Sequence, residues 1–152
     1  MRIDPAIEPR VREAFAASVA EQPERFDEAI RALGDNDDDL RRALELAFNV
    51  VAAAAFAIDG GLAPTEERLT YFAEAFSKTQ SSWSGVDQAA ALSFLRAVTS
   101  GQDPLEVMTA GDAAYTAHAL GGWLLSAFPR GEGLRWVDFL DGVLNGLEAR
   151  DQ

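Results

Sequence analysis

The densest group of side chains that could do chemistry is a set of four aspartates in the segment GDNDDDL: Asp35, Asp37, Asp38 and Asp39. The alternation of Asp35, Asp37 and Asp39 is that of the first ligands of a helix-loop-helix calcium site. Such a loop also requires glycine at its sixth position and glutamate at its twelfth, and this chain has leucine at both. The calcium interpretation therefore fails. The aspartates instead predict a helix start, where carboxylates cap free N–H groups and interact favourably with the helix dipole.

A second acidic segment, 59–67 (DGGLAPTEE), joins the end of an apolar run to an acidic helix start. Over about 54–76 it resembles the acidic turn of TerB-like domains of tellurite resistance. That family is all-helical, and its turn carries acidic residues proposed to bind metal. The resemblance implies Asp59 and Glu66 as the ligands, although Ala63 replaces the usual small hydroxyl residue. A capped turn between two helices explains the same residues, and we expect no cofactor and no metal.

The single histidine, His118, is the third candidate for chemistry. One histidine cannot supply the clustered ligands of a usual zinc site, and the absence of cysteine excludes thiolate ligands and disulfides. Tyr115 and His118 share a helical face and Trp123 follows, so an enzyme site around these three residues is one interpretation. However, Asp112 lies off that face and cannot orient the histidine. No serine-nucleophile elbow or phosphate-binding glycine loop is present, so we prefer an interpretation without catalysis.

The charge balance restricts the partners of the chain. It has 25 acidic and 13 basic residues, a formal net charge of −12. Nonspecific binding to nucleic acid or to anionic lipid depends on basic charge, so we expect neither partner. A basic protein would be attracted, although acidic surfaces also serve solubility alone. The sequence therefore predicts a protein partner, possibly basic, with the four aspartates as its first candidate contact.

Length and composition predict one domain, residues 1–152. The N-terminal stretch lacks the apolar core of a signal peptide, and no stretch reaches the roughly 20 apolar residues of a membrane span. We therefore expect a cytoplasmic protein. A single lysine, beside abundant arginine and alanine, is typical of a GC-rich bacterial genome.

The element that must position the aspartates is a helix over about 37–58. Its apolar residues recur at spacings of three and four, which predicts an inner face. These residues are Leu40, Leu44, Ala47, Phe48, Val51, Ala55 and Ile58. From Ala47 onward only Asn49 interrupts the apolar residues, and a helix that is apolar all round must be surrounded by protein or lipid. We therefore predict a central helix of a bundle, ended by Gly60 and Gly61.

The remaining segments predict further helices and no strand, giving an all-α orthogonal bundle of seven or eight helices. They cover about 9–19, 22–33, 64–76, 87–100, 104–108, 113–128 and 134–149. We interpret the segment TQSSWSG, 79–85, as a polar loop that presents Trp83 as a second candidate for protein binding. Asp112 is expected to cap the helix 113–128, Pro129 to end it, and Gly131 to begin the following turn.

Four glycines fall inside predicted helices, where each costs about 1 kcal/mol relative to alanine. They are Gly121, Gly122, Gly142 and Gly146. Close helix crossing inside the bundle explains them, and a pocket or a homodimer contact is the alternative. Taken together, the sequence favours a non-catalytic accessory, regulatory or immunity-type factor that binds another protein. A small-molecule or metal-binding domain and an enzyme remain the alternatives.

Overall fold

The computed structural model describes residues 1–128 and 133–150. These residues form a compact helical bundle, about 75% helical and without strands, so the predicted all-α fold is confirmed. The helices are α1 Glu8–Val19, α2 Pro23–Arg31, α3 Asp37–Ile58, α4 Glu66–Ser84, α5 Gln88–Ser100, α6 Ala110–Ala127 and α7 Trp136–Ala149. A short 3-10 turn, Pro104–Glu106, connects α5 to α6.

Helix α3 has the predicted bounds, but its N-cap is Asn36 and not one of the aspartates. The Asn36 side chain accepts a hydrogen bond from the backbone N–H of Asp39 at 2.9 Å, and three aspartates occupy the first turn. At the other end, Gly60 and Gly61 have φ of +74° and +89°, which residues with a side chain rarely adopt. The backbone therefore leaves the helix at these glycines.

The inner face of α3 matches the predicted one in part: Leu44, Ala47, Val51 and Ala55 are buried, whereas Leu40, Phe48 and Ile58 are partly exposed. Its buried residues are Ala43, Leu44, Leu46, Ala47, Val50, Val51, Ala54 and Ala55. Phe48, predicted to lie inside, is only partly buried and packs its ring edge-on against Phe94, with centroids 5.5 Å apart. The helix is apolar on every side after Ala47, so sequence periodicity did not fix which stripe turns inward. As a result, Ala52, Ala53 and Phe56 face outward and are partly exposed.

Helix α6 is the most enclosed element and packs against α1, α3, α4, α5 and α7. A Cβ added at Gly121 would lie 2.4 Å from the Phe15 ring, and one at Gly122 would lie 2.3 Å from the Ser18 hydroxyl. These glycines therefore let α1 cross α6 closely, which confirms the prediction that they serve packing inside the bundle. Gly142 and Gly146 in α7 are different, because nothing in the described part of the chain lies within 4 Å of a Cβ added at either position.

The predicted loop 79–85 is instead the end of α4, which continues to Ser84. Its hydroxyl side chains hydrogen-bond to the carbonyls one turn earlier: Thr79 to Ala75 at 3.1 Å and Ser81 to Ser77 at 2.7 Å. Polar residues that satisfy themselves in this way remain compatible with a helix. The helix ends at Gly85, whose φ is +72°.

Helix α6 begins three residues earlier than predicted. Thr109, not Asp112, is its N-cap, and the Thr109 hydroxyl accepts a hydrogen bond from the Asp112 N–H at 3.1 Å. Asp112 lies in the first turn, where its charge still favours the helix dipole. The predicted helix end at Pro129 and turn at Gly131 lie outside the described residues.

Candidate functional site

The structure brings the four candidate aspartates together at the N-terminus of α3, and most of them are paired with arginines. Arg10 of α1 contacts Asp35 at 3.1 Å and Asp39 at 3.9 Å. Arg42, one turn further along α3, contacts Asp38 at 3.0 Å. Asp37 makes no ion pair within the described part of the chain. Arg42 also pairs with Asp4 at 3.0 Å, so two guanidinium groups offset only part of the local negative charge.

Trp83 lies in the last turn of α4 and is partly buried. Its indole packs edge-on against Phe26 of α2, with centroids 5.2 Å apart, and its Nε1 donates to the Gln80 side chain at 2.8 Å. No hydrogen bond or ring contact among residues 1–128 and 133–150 joins it to the aspartates. Trp83 therefore helps to attach α2 to α4, and both ends of its side chain are occupied.

The two carboxylates of the acidic turn pair with different arginines. Asp59 accepts hydrogen bonds from Arg68 at 2.9 and 3.0 Å, whereas Glu66 pairs with Arg96 of α5. Arg68 also lies over the Tyr71 ring, 5.0 Å from its centroid. Each carboxylate is thus already neutralised by its own arginine. In the described ranges, no group of three or more acidic or histidine side chains could hold a metal ion.

Tyr115, His118 and Trp123, the residues of the predicted enzyme site, contact different helices. The Tyr115 hydroxyl donates to the Asp27 carboxylate of α2, and this hydrogen bond, with burial, raises the pKa of Tyr115. Trp123 packs edge-on against the rings of Phe76 and Phe128. The structure therefore does not bring these side chains together around a common cavity.

His118 is fully buried between α6 and the Phe15 ring of α1, whose centroid lies 4.8 Å away. Its Nδ1 is 2.8 Å from the Ala114 carbonyl, so Nδ1 carries the proton and donates. Its Nε2 has no hydrogen-bond partner among the residues that the structure describes. Burial lowers the pKa of His118 to about 4, and the residue is neutral at pH 7.

Sequence reasoning missed an apolar groove on the outward side of α3. Phe48 and Ala52 form its floor, and Val98 at the end of α5 and Leu105 of the 3-10 turn form its wall. The groove has a volume of about 350 Å³. Leu105 is 40% exposed, so its apolar side chain is accessible from solvent. The sequence contained one indication of this groove, which is that α3 has no continuous polar face after Ala47.

The rim of this groove carries charge of both signs, with acid in excess: Arg41, Glu45 and Asp103. Asp103 has a local role as well, because its carboxylate caps the 3-10 turn by accepting from the Leu105 N–H at 2.9 Å. On α3, Glu45 lies seven residues after Asp38, so helical geometry places both on the outward stripe. Asp38, one of the candidate aspartates, and the apolar groove therefore lie on one face of α3.

A second apolar groove lies between α3 and α7, with a volume of about 400 Å³. Ala53 of α3 and Gly142, Val143 and Gly146 of α7 line it. Leu134, which is 57% exposed, stands at its edge. The outward side of α3 is thus bordered by apolar surface on both sides.

Comparisons of this chain with protein-family models, with curated proteins and with solved structures give no significant match. The likeness of the acidic turn to TerB-like domains therefore has no support from a family model. Within the described residues, no helix is long and apolar enough to cross a membrane.

Proposed function

We propose that this chain is a non-catalytic module that binds another protein, as an accessory, regulatory or immunity-type factor. The partner segment is an apolar helix with basic flanks, and it lies in the groove formed by Phe48, Ala52, Val98 and Leu105. The observation that carries the proposal is the outward, partly exposed apolar stripe of α3. A helix that is apolar on all sides is stable in water only when another surface covers it.

The shape of the groove supports a helical ligand. Amphipathic helices bind such grooves by placing apolar anchors at spacings of three, four and seven residues. Phe48 and Leu105 provide large apolar contacts, and Ala52 leaves room between them. Burial of apolar surface supplies roughly 25 cal/mol per Å², so a few anchors are enough for measurable binding.

The charge of the chain supports a basic partner. Glu45 and Asp103 on the rim outnumber Arg41, and the whole chain has a net charge of −12. Asp37 and Asp38 add acid at the beginning of the same helix. Such a field speeds the encounter with a basic partner, and salt reduces the effect because the screening length is about 8 Å at 0.15 M.

The test is selection of helical peptides from a random display library on the immobilised protein. We expect the selected peptides to combine apolar residues at helical spacing with lysine or arginine. Leu105→Asp should weaken their binding at least about tenfold, because a charge would replace an apolar contact. Leu62→Asp is the matched control, since Leu62 is 75% exposed and does not line the groove.

The aspartates are tested separately by kinetics. Replacing Asp37 and Asp38 with asparagine removes two charges and should slow association at low salt while leaving dissociation nearly unchanged. Selected peptides that bind Leu105→Asp as tightly as the unmodified protein would exclude this groove as the binding site. Peptides without basic residues would contradict the electrostatic part of the proposal.

A further inference from the structure

The groove between α3 and α7 ends in opposite charges. Asp138 of α7 and Arg150, the residue that caps the C-terminus of α7 with helical backbone angles, both line it. They are twelve residues apart, about 18 Å along a helix. Gly142 and Gly146 lie between them at the same four-residue spacing. The four residues therefore form one continuous ridge along α7, with an acid at one end, a base at the other and no side chain in the middle.

The middle of this ridge is open to solvent. Because no atom of residues 1–128 and 133–150 lies within 4 Å of an added Cβ at Gly142 or Gly146, packing among these residues does not require glycine there. Gly121 offers the opposite case, since its added Cβ would collide with the Phe15 ring. Val143 and Leu147 form the apolar floor beside the α7 glycines, and Leu134 is exposed at the edge.

The ridge is complementary to itself. Asp138 and Arg150 are each six residues from position 144, and Gly142 and Gly146 are each two residues from it. When two α7 helices cross antiparallel at this level, Gly142 lies opposite Gly146 of the second copy. The same operation places Asp138 opposite Arg150 of the second copy, and two-fold symmetry repeats the pair.

We propose that a second copy of this chain occupies the groove, with its α7 packed antiparallel on α7 about a two-fold axis near position 144. The charge pattern favours this occupant, because a partner of uniform charge would match only one end of the ridge. The Asp138 Oδ2 already accepts from the Arg135 N–H at 2.8 Å and lies 3.8 Å from the Arg135 Nε. Its other oxygen can still accept from an arginine of the second copy. This dimer uses a different groove from the proposed function and does not depend on it.

The net charge of −12 on each copy opposes the dimer. Screening limits that repulsion to near neighbours, since the screening length is about 8 Å at 0.15 M salt. The two opposite-charge pairs lie six residues from the axis, about 9 Å along α7, which is close to this length. We therefore expect a reversible dimer whose population increases with concentration.

The first test is sedimentation of the full chain in 0.15 M salt from roughly 1 μM to 1 mM, the range of weak reversible association. The unmodified protein should change from monomer to dimer as concentration increases. Gly146→Leu should raise the dimer Kd at least about tenfold and still fold, because the added side chain points into open space and leucine favours a helix. Glu148→Leu, exposed on the same helix and outside the groove, should leave the Kd unchanged.

The second test uses introduced cysteines, which are clean probes because the chain has none. A mixture of Gly142→Cys and Gly146→Cys chains should form a mixed disulfide faster than either variant forms a disulfide with itself. In the proposed dimer the mixed pair is in register, whereas like residues are about 6 Å out of register along the axis. A protein that stays monomeric over the whole concentration range would overturn the proposal. A dimer that persists in Gly146→Leu, or cross-linking without preference for the mixed pair, would overturn it equally.

Discussion

Acidification should destabilise this protein through one residue, His118, well before its carboxylates are protonated. The folded protein keeps His118 neutral because burial lowers its pKa to about 4, whereas in the unfolded chain the pKa is about 6.5. Below pH 6.5 the unfolded chain therefore binds a proton that the folded protein does not. Stability falls as the pH falls from about 6.5 to about 4, and His118 causes no further loss below that.

The size of the effect follows from this difference in pKa. Each pKa unit corresponds to 1.36 kcal/mol, so the complete loss is about 3 kcal/mol. By pH 5 it is already about 2 kcal/mol, a pH at which ordinary carboxylates remain ionised. That is a large part of the 5–15 kcal/mol by which a typical domain is stable.

The assay is urea denaturation followed by tryptophan fluorescence between pH 7.5 and 4.5, for the unmodified protein and for His118→Leu. At pH 7.5 the variant should be at least as stable, because it removes an unpaired buried nitrogen. At pH 5 it should be more stable than the unmodified protein by a further 2 kcal/mol or so. The single histidine also gives an unambiguous NMR titration. A midpoint near 6.5, or parallel pH dependences for the two proteins, would refute the reasoning.

Three further predictions concern packing and metals. Gly121→Ala should destabilise the fold by about 1–3 kcal/mol, because the added Cβ would collide with a phenylalanine ring of α1. Gly142→Ala should stabilise the fold by up to about 1 kcal/mol, because alanine favours a helix and its Cβ would meet no described atom. Urea denaturation measures both changes. Phe94→Ala, at a fully buried site, should cost about 3–5 kcal/mol, and Phe48→Ala, partly exposed, about half as much; equal losses would show that Phe48 is buried after all. Calcium, magnesium and zinc should leave the Tm unchanged, and a saturable rise that is lost in Asp59→Asn would contradict this.

The fold could be predicted from the sequence wherever capping residues mark the ends of amphipathic helices. The bounds of α3 follow from the aspartates and from Gly60, and the end of α5 follows from Gly101, whose φ is +80°. The prediction failed at Thr79 and Ser81, whose hydroxyls look like loop residues in sequence but hydrogen-bond within α4. Local propensity does not show whether such a polar segment forms a loop or continues a helix.

The candidate site was less predictable, because its features depend on contacts between residues that are distant in sequence. The cluster of aspartates was visible, but its pairing with Arg10, 25 residues before Asp35, was not. The direction in which Phe48 faces was also hidden, because α3 is apolar on every side and only the packed bundle selects an inner stripe. The groove beside Leu105 exists because Phe48 and Ala52 are not on the inner stripe of α3, so it could be found only from the structure.

The enclosed position of α6 has a consequence for how this protein is made. Helices α1 and α3 both bury apolar residues against α6, which begins about 90 residues after α1 ends and about 50 after α3 ends. During synthesis at about 5–20 residues per second, these apolar surfaces have no partner for several seconds before Ala110–Ala127 leaves the ribosome. The nascent chain is thus exposed to aggregation until late in translation, and its core closes only when its sixth helix arrives. Chaperone binding to the ribosome-bound chain should accordingly be strongest before α6 emerges.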